Sequence, residues 1–515
     1  MSIFLTNISL TINNIFSYNE DGDNMKDKTI IKLKYIICFL GIISISLYII
    51  NRVFIQNDVF FDIKTGENII QYGIDFQDHF SFIPNLRYLY HHFLYDIIFF
   101  LTYQKFGFSM IKYFFFFFIT LLGFTIFNIN KKHNKSILFN TLITALTLYL
   151  AIPFLQARVQ TITFTLLFLE VYYWEKLYND GNIKNTLIII ILAILVVNLH
   201  MPIWIMTIIL SLPFLVECIL ADISKKQIII KPKNKKIIII TFILLFLSGL
   251  MSPFKLYPYT FFINSLKTSA YDIILEMQKT NILQYKYQLI LFLSSFILCY
   301  FKIAKIKIHD WLLIIGLFIL GTLARRHMAY ITIFLPTILN KSINYNFFKK
   351  KIMLKDVLFK NKYIIISCLC IIIIILSNNL IRNYHDFKKK DFEYEIIHRY
   401  PLKIVDYLHK NVDFNNRTPF FNKMNYGSYL ALYDIPIFVD TRMEVYIKEF
   451  NGGQDIITDY LDACDENKYL NIFSKYKFEY AITYFKDTVY NFLSKDNNFT
   501  LLFEDEQYAL FKRNT

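Results

Sequence analysis

The sequence predicts a polytopic α-helical membrane protein of about 11 transmembrane helices with a small α/β domain at its C-terminal end. The first observation is composition: of 515 residues, 55% are hydrophobic and 18% aromatic, and apolar runs recur along the first three quarters of the chain. The second is charge: residues 383–515 carry 17 basic and 21 acidic side chains, whereas residues 1–382 carry 38 and 19. This composition excludes disordered chains and small disulfide-stapled domains.

The net charge of +15 has two interpretations. A strongly basic protein can bind nucleic acid, but here the basic part of the chain is also the part with long apolar runs. Lysine-rich loops beside apolar helices are typical of the cytoplasmic side of a bilayer. We therefore expect the bilayer, and no nucleic acid, as the partner of the basic residues.

Eleven apolar runs are candidate membrane helices. A span needs about 20 apolar residues, although shorter runs are tolerated inside a bundle. The candidates are 33–50, 108–128, 137–153, 160–175, 186–201, 203–220, 237–252, 284–301, 308–324, 327–340 and 362–381.

Lysines recur at every second gap between these runs, which sets the expected orientation. If the N-terminus is cytoplasmic, 25 of the 38 basic residues lie inside, as the positive-inside rule requires. This predicts a cytoplasmic segment (1–32), a membrane domain (33–382) with a large first outer loop (51–107), and an extracytoplasmic domain (383–515). The expected location is the plasma membrane. Both Met1 and Met25 are candidate starts, and residues 1–24 lack the pattern of a signal peptide.

Ionisable residues collect on the predicted outer side. Such groups at helix ends are costly unless they pair or face a wet cavity, so they mark candidate sites. We expect the following carboxylates, guanidinium groups and imidazoles to face one cavity: Asp58, Asp62, Asp78, His91, His92, Arg158, His200, Arg325, Arg326 and His327.

This set of residue types suits a substrate that carries phosphate. Arginine binds phosphate oxygens through two parallel hydrogen bonds. A carboxylate can take a proton from a hydroxyl group or hold a divalent cation that bridges a diphosphate. The sequence thus leaves a divalent cation open and indicates no other cofactor, since it contains no phosphate-binding P-loop or dinucleotide fingerprint.

Each candidate also has an ordinary structural interpretation. Asp58 and Asp62, one helical turn apart, also fit a solvated helix face. His91 and His92 fit interfacial polar residues, and His200 fits a helix cap. Arg325 and Arg326 are different, because arginines outside the membrane run against the positive-inside trend.

The C-terminal domain alternates predicted strands and helices. We expect strands at 419–424, 435–440 and 478–485, helices between them, and a closing strand pair at 499–505 and 507–513. Asp440 would end a strand, where open α/β sheets place ligands, with Arg442 two residues further on. A salt bridge or a turn cap is the alternative for these two residues. We expect this domain to recognise an acceptor or partner, or to cover the membrane site.

Several stretches resemble a group of uncharacterised bacterial polytopic proteins that are similar to GT-C glycosyltransferases. The run DVFFDIKTGENIIQYGIDFQDHFSF and the following YHHFLYDIIFFLTYQKFGF are similar to the group's first outer loop. ARVQTITFTLL, NLHMPIW, MSPF, ARRHMAYI, NKMNYGSYLAL and IPIFVDTRMEVY match further patches in the same order. This sequence departs from the pattern at Asp62, where the group usually has His, at His92, where it often has Glu, and at Val159, where it has Pro.

The resemblance implies an outer-face glycosyltransferase that uses a sugar linked to a polyprenyl phosphate and inverts the anomeric centre. It implies Asp58 as the catalytic base or metal-binding carboxylate, with Asp78 as the next candidate. Arg158, Arg325 and Arg326 would neutralise the leaving phosphate, and His91, His92 and His200 would orient donor or acceptor. The implied acceptor is an envelope glycan, lipid or protein.

Two other functions remain open from the sequence. A transporter or flippase of lipid-linked saccharides would use the same basic cavity, although no inverted repeat and few Gly or Pro breaks occur inside the spans. A non-catalytic envelope protein would bind a partner through residues 383–515, with its carboxylates merely solvated.

Overall fold

The computed structural model describes residues 25–52, 55–223, 231–268, 274–301, 303–343, 369–381 and 399–514. The segment before Met25, the first part of the eleventh candidate span and the linker after residue 381 lie outside the described residues.

Each of the 11 candidate spans overlaps an α-helix in the described residues. They correspond to α1 (Met25–Ile50), α4 (Ser109–His133), α5 (Ile137–Leu150), α6 (Gln160–Asp180), α7 (Ile183–Leu199), α8 (Trp204–Ile223), α9 (Lys235–Leu247), α11 (Lys286–Tyr300), α12 (Ile308–Leu323), α13 (Met328–Ser342) and α14 (Leu369–Ile381). Within the described residues, four stretches are long and apolar enough to cross a membrane, namely Thr29–Ile50, Ile111–His133, Met201–Ala221 and Ile282–Tyr300. The number of spans therefore stays a prediction.

A buried ionic cluster joins three of these helices at one end of the bundle. The Nζ of Lys341 on α13 lies 2.9 Å from Glu175 of α6 and 2.7 Å from Asp310 of α12. Glu175 is 15 residues from the first residue of α6, or about 22 Å along the helix. The cluster thus lies far from the outer turns that precede α6 and α13.

The first outer segment forms two packed helices, α2 (Asn57–Tyr72) and α3 (Phe93–Phe106). They approach closely at Gly66, where an added Cβ would lie 2.2 Å from the carbonyl oxygen of Asp96 and 2.6 Å from the Cβ of Phe100. Only glycine allows this contact. The close approach brings the side chains one turn away, on facing sides of α2 and α3, near each other.

The C-terminal domain contains a four-stranded sheet within the described residues. The strands are β1 (Phe420–Phe421), β2 (Tyr480–Tyr484), β3 (Phe499–Glu504) and β4 (Tyr508–Arg513), in the order β1-β2-β4-β3. β1 pairs parallel to β2, and the other pairs are antiparallel. The helices of this domain are α15 (Leu402–Asn411), α16 (Met424–Leu432), α17 (Met443–Tyr446), α18 (Lys448–Asn451), α19 (Ile456–Ala463), α20 (Tyr469–Tyr476) and α21 (Thr488–Leu493). The short α10 (Tyr257–Lys267) follows α9 in the bundle. The predicted closing strand pair is confirmed.

The predicted strand at 435–440 is wrong. This segment does not join the sheet; it runs along the first outer loop, where Ile437 forms a single bridge with Ser81. Its backbone forms hydrogen bonds there: the Ile437 amide donates to the carbonyl of Phe80 (3.0 Å), and the Phe82 amide donates to the carbonyl of Ile437 (3.4 Å). Asp440 therefore does not end a sheet strand, so the argument for a ligand site at a strand end does not apply to it.

The C-terminal domain packs against the first outer segment. The Asn57 side chain donates to the carbonyl of Met424 and to the hydroxyl of Ser428, both at 3.1 Å. Tyr400 donates to the carbonyl of Ile55 (3.0 Å). Both α2 and α16 are largely buried at this contact. The start of α2 is thus held between the helical bundle and the C-terminal domain.

Candidate functional site

A cavity of about 430 Å³ lies between α2, the turns that precede α6 and α13, and the start of α16 and α17. Eight of the predicted site residues line it: Asp58, Asp62, His91, His92, Arg158, His200, Arg326 and Arg442. The other four, Asp78, Arg325, His327 and Asp440, are not among its lining residues. The expected gathering of outer groups around one cavity therefore holds for most of the set.

Arg158 joins two carboxylates across the cavity. Its Nε lies 2.7 Å from Asp58 Oδ2, and its Nη1 donates to both oxygens of Glu276 at 2.9 Å. The other oxygen of Asp58 accepts from the Thr441 hydroxyl (2.7 Å). Asp58 is in the first turn of α2, where the helix dipole favours a negative charge. The carboxylate is thus fixed by groups from the bundle, the helix and the C-terminal domain.

A second cluster lies one turn further along α2. Asp62 is buried, and its Oδ1 lies 3.5 Å from His92 Nδ1. Asp96, in the first turn of α3, is fully buried beside them, and one ligand atom from each of the three residues lies within 4.8 Å of the others. The two departures from the resembled pattern, a carboxylate for an imidazole at Asp62 and an imidazole at His92, therefore lie next to each other. Together they retain a carboxylate–imidazole pair.

Burial shifts the pKa values in this cluster. Burial and the neighbouring carboxylates raise the pKa of Asp62 well above its usual value, and burial raises that of Asp96 to about 7. Burial, together with the nearby His91 and His200, lowers the pKa of His92 well below its usual range. The His92 ring is therefore neutral at pH 7.

His91 forms an ion pair with the C-terminal domain. Its Nε2 lies 2.8 Å from Glu444, and its Nδ1 donates to the carbonyl of Leu89 (2.9 Å). Burial disfavours the charged ring, but Glu444 outweighs burial and raises the pKa of His91. Burial is likewise outweighed at Glu444, whose pKa falls beside His91. A ring that donates from both nitrogens is an imidazolium, so the pair carries opposite charges.

This pair predicts a specific dependence of stability on pH. The raised pKa of His91 adds stability that is lost as pH rises through that value, and the lowered pKa of Glu444 adds stability that is lost as pH falls below about 4.5. Between these limits, His91→Gln should lower the free energy of unfolding by about 1–3 kcal/mol. Thermal unfolding in detergent from pH 5 to 10 should show the variant and the wild type converging at alkaline pH. A difference that stays constant with pH would contradict the pairing.

Arg442 forms a buried ionic cluster at the wall of the cavity. Its Nη1 donates to Asp78 (2.6 Å) and its Nε to Asp440 (2.8 Å), and the guanidinium stacks on the rings of Phe80 (3.8 Å to the centroid) and Tyr88 (4.7 Å). The structure thus places the predicted second catalytic carboxylate, Asp78, in a buried ion pair outside the cavity lining. Asp440 and Arg442 form the salt bridge that was the alternative to a ligand site.

The turn Arg325–His327 separates its three basic residues. Arg326 lines both the main cavity and a smaller one of about 230 Å³, whereas Arg325 lines only the smaller one. His327 lines neither of these two cavities. The turn is held by backbone bonds from Arg325 to Gln278 (3.1 Å) and from Arg326 to Glu276 (3.0 Å). Arg326 is therefore the member of this motif that reaches the site.

His200 follows the last residue of α7 and faces the histidines of the first outer loop. Its ring lies edge to face with that of His92, with centroids 4.8 Å apart, and its Nδ1 lies 3.5 Å from the Thr163 hydroxyl. The next amide, Met201, donates to the carbonyl of His91 (2.9 Å). The loop after α7 is thus tied directly to the first outer loop.

Four further residues complete the site: Asp96 and Glu276 were among the ionisable residues predicted on the outer side but had no assigned role, and Thr441 and Glu444 were not singled out. Glu276 pairs with Arg158, Asp96 completes the buried cluster, Thr441 holds Asp58, and Glu444 pairs with His91. Asp96 follows His92 by one helical turn, and Glu444 follows Arg442 by two residues. Their closeness in sequence to predicted site residues therefore indicated both of them weakly. Nothing in the sequence links Glu276 to Arg158, which is 118 residues away.

No family model matches the sequence, and no curated protein matches it. Among solved structures, the chain is similar to the archaeal oligosaccharyltransferase AglB from Archaeoglobus fulgidus in complex with an inhibitory peptide and a dolichol-phosphate. The TM-score is 0.51 at 11% sequence identity, and the match covers 87% of this chain and 69% of that chain. At this identity the likeness concerns the fold. The chain is therefore similar in fold to that oligosaccharyltransferase, and four of its described helical stretches are long and apolar enough to cross a membrane.

Proposed function

We propose that this protein is an outer-face membrane glycosyltransferase that moves a sugar from a polyprenyl-phosphate-linked donor to a cell-envelope acceptor. The observation that carries the proposal is the fixed position of the Asp58 carboxylate. Arg158 and Thr441 hold it at the wall of a cavity of about 430 Å³. The shared fold supports it, since the similar protein is an oligosaccharyltransferase in complex with a dolichol-phosphate.

In the proposed reaction, an acceptor hydroxyl attacks the anomeric carbon of the donor sugar. The bond from that carbon to the phosphate oxygen breaks, and the leaving polyprenyl phosphate keeps the electron pair. The acceptor proton passes to Asp58, whose oxygens each retain a lone pair beside their present contacts. Attack opposite the leaving group inverts the anomeric centre.

The positive charges of the cavity suit the leaving phosphate. Arg158 and Arg326 line the cavity, and the His91 imidazolium lines it as well. Positive groups already in place where negative charge develops stabilise a transition state without reorganisation. In this proposal the donor phosphate lies against Arg326, and Arg158 keeps Asp58 in position.

Deletion of the gene tests the proposal in cells. The strain should lose one sugar from its surface glycans and accumulate the corresponding lipid-linked donor, and the wild-type gene should restore both. Mass spectrometry of surface glycans and of extracted lipid-linked sugars provides the readout. Unchanged glycans and donor pools would contradict the proposal.

A second experiment separates transfer from transport. In detergent there are no separate membrane leaflets, so a flippase cannot move its substrate from one leaflet to the other. A transferase can still join donor and acceptor under the same conditions. The purified full chain should release polyprenyl phosphate from an extract of lipid-linked sugars in detergent when envelope acceptor is added. Glycan loss in the deletion strain without any such release would favour the flippase.

A further inference from the structure

A further cavity, of about 520 Å³, lies on the C-terminal domain. It is formed by the residues that precede α15, the start of α16, the end of β2 and the turn between β3 and β4. Four aromatic residues line it, namely Tyr400, Tyr484, Phe485 and Tyr508, together with one guanidinium group and two side-chain amides. Its volume is in the range of sites that bind small molecules.

The lining of this aromatic cavity combines flat apolar surfaces with neutral hydrogen-bonding groups. Tyr484 and Phe485 are half-buried, whereas Arg399, Asn425 and Gln507 are exposed. A sugar ring has apolar C–H faces that pack on aromatic rings, and hydroxyl groups that both donate to and accept from amides. A purely apolar ligand would leave the amides without partners. The described lining therefore suits a saccharide better than a lipid tail.

Backbone hydrogen bonds hold the aromatic cavity in shape. The Phe485 amide donates to the carbonyl of Gln507 (2.7 Å), and the Gln507 amide donates to the side chain of Asp505 (2.8 Å). The Tyr508 hydroxyl donates to the carbonyl of Arg399. An extended peptide that adds to a sheet is recognised mainly through free main-chain groups. Here these main-chain groups are paired with each other, so side chains remain to recognise a ligand.

Asn425 connects the aromatic cavity with the main cavity. It lines both of them, so the two meet at the start of α16. Its side chain is hydrogen-bonded to the Tyr484 hydroxyl, which ties the connection to the end of β2. The main cavity contains Asp58, the proposed base. An acceptor that presents a hydroxyl group to Asp58 can therefore continue past Asn425 onto the C-terminal domain.

We propose that the aromatic cavity binds a sugar residue of the acceptor, and hence that the acceptor is a glycan. The proposal rests on the proposed function and names the acceptor class. The attacking hydroxyl belongs to the terminal sugar in the main cavity. The next sugar packs on Tyr484 and Phe485, and its hydroxyl groups bond to Asn425, Gln507 and Arg399.

Binding of saccharides in the absence of donor tests this proposal on the full chain in detergent. The probe is a mixture of short oligosaccharides released from the envelope glycan by partial acid hydrolysis. Saturation-transfer difference NMR should show signals from the sugar ring protons with the wild type. Gln507→Ala should weaken binding by about 2- to 10-fold, as expected for one lost hydrogen bond. Phe485→Leu, which replaces the ring by an aliphatic side chain, should have an effect of about the same size.

Gln507→Ala decides the matter if Phe485→Leu does not fold. Gln507 is exposed, and the two bonds that it forms in the turn between β3 and β4 use its backbone. Gln454→Ala is the matched control, because Gln454 is also exposed in this domain and lies outside the lining of both cavities. This control should bind the oligosaccharides as the wild type does.

Two outcomes would overturn the proposal. One is equal binding of the oligosaccharides by the wild type and Gln507→Ala. The other is binding of peptides, released from envelope proteins by trypsin, without binding of the oligosaccharides. Neither result depends on transfer, since no donor is present. Failure of the proposed function itself would appear separately, as unchanged surface glycans in the deletion strain.

Discussion

Asp58→Asn should lower the rate of sugar transfer by about 10²- to 10⁴-fold, the range typical of a lost general base. The amide has the shape of the carboxylate, and its oxygen can still accept from Thr441, which lies 2.7 Å from Asp58 in the wild type. It cannot take a proton from the acceptor, and it no longer neutralises Arg158. The measurement is release of polyprenyl phosphate by purified protein with an extract of lipid-linked sugars.

The matched control for this prediction is Asp75→Asn, which changes a carboxylate paired with His79 (2.6 Å) in the same segment. This variant should transfer at the wild-type rate because Asp75 lies outside the cavity lining. Transfer at an undiminished rate by Asp58→Asn would refute the role of this carboxylate.

Arg442→Met should lower the free energy of unfolding by about 3–5 kcal/mol, because removing one partner of a buried ion pair leaves uncompensated charge. Here two carboxylates, Asp78 and Asp440, would lose their shared cation, and the rings of Phe80 and Tyr88 would lose the stacked guanidinium. Methionine fills much of the same space, so the loss of charge dominates the effect. Thermal or denaturant unfolding in detergent provides the measurement.

Acid should partly rescue this variant. Burial already raises the pKa of Asp440 with Arg442 present, and without the guanidinium this carboxylate should protonate more readily. The deficit relative to the wild type should therefore shrink as pH falls from 7 to 5. Adding Asp78→Asn and Asp440→Asn to Arg442→Met should recover much of the lost stability. An Arg442→Met protein within about 1 kcal/mol of the wild type would contradict a role for the Arg442 cluster in stability.

Much of the candidate site was predictable because its members are exceptions to a general rule. Ionisable residues at the ends of apolar helices are costly, so Asp58, Arg158, His200 and Arg326 were conspicuous, and all four line the cavity. The rule does not say which group pairs with which. Asp78 was the next candidate after Asp58, although Asp78 pairs with Arg442 outside the cavity lining and Asp58 pairs with Arg158 in the cavity.

The segment 435–440 shows the limit of local patterns. Its apolar run reads as a buried strand, and its residues are indeed buried, but they pair with the first outer loop through Ile437 and Ser81. A run of apolar residues indicates burial and extended backbone without naming the partner. The partner was 356 positions away in the chain.

The sequence by itself determined the membrane class, the helical runs and the division of charge between 1–382 and 383–515, because hydropathy and charge are summed over neighbouring residues. Only the tertiary structure decided that Arg158 holds Asp58 with Glu276, that Arg442 holds Asp78 with Asp440, and that Asp62 meets His92 and Asp96. These contacts join groups up to several hundred positions apart. Their partners depend on how close helices and loops pack, as at Gly66, and no local spacing encodes that distance.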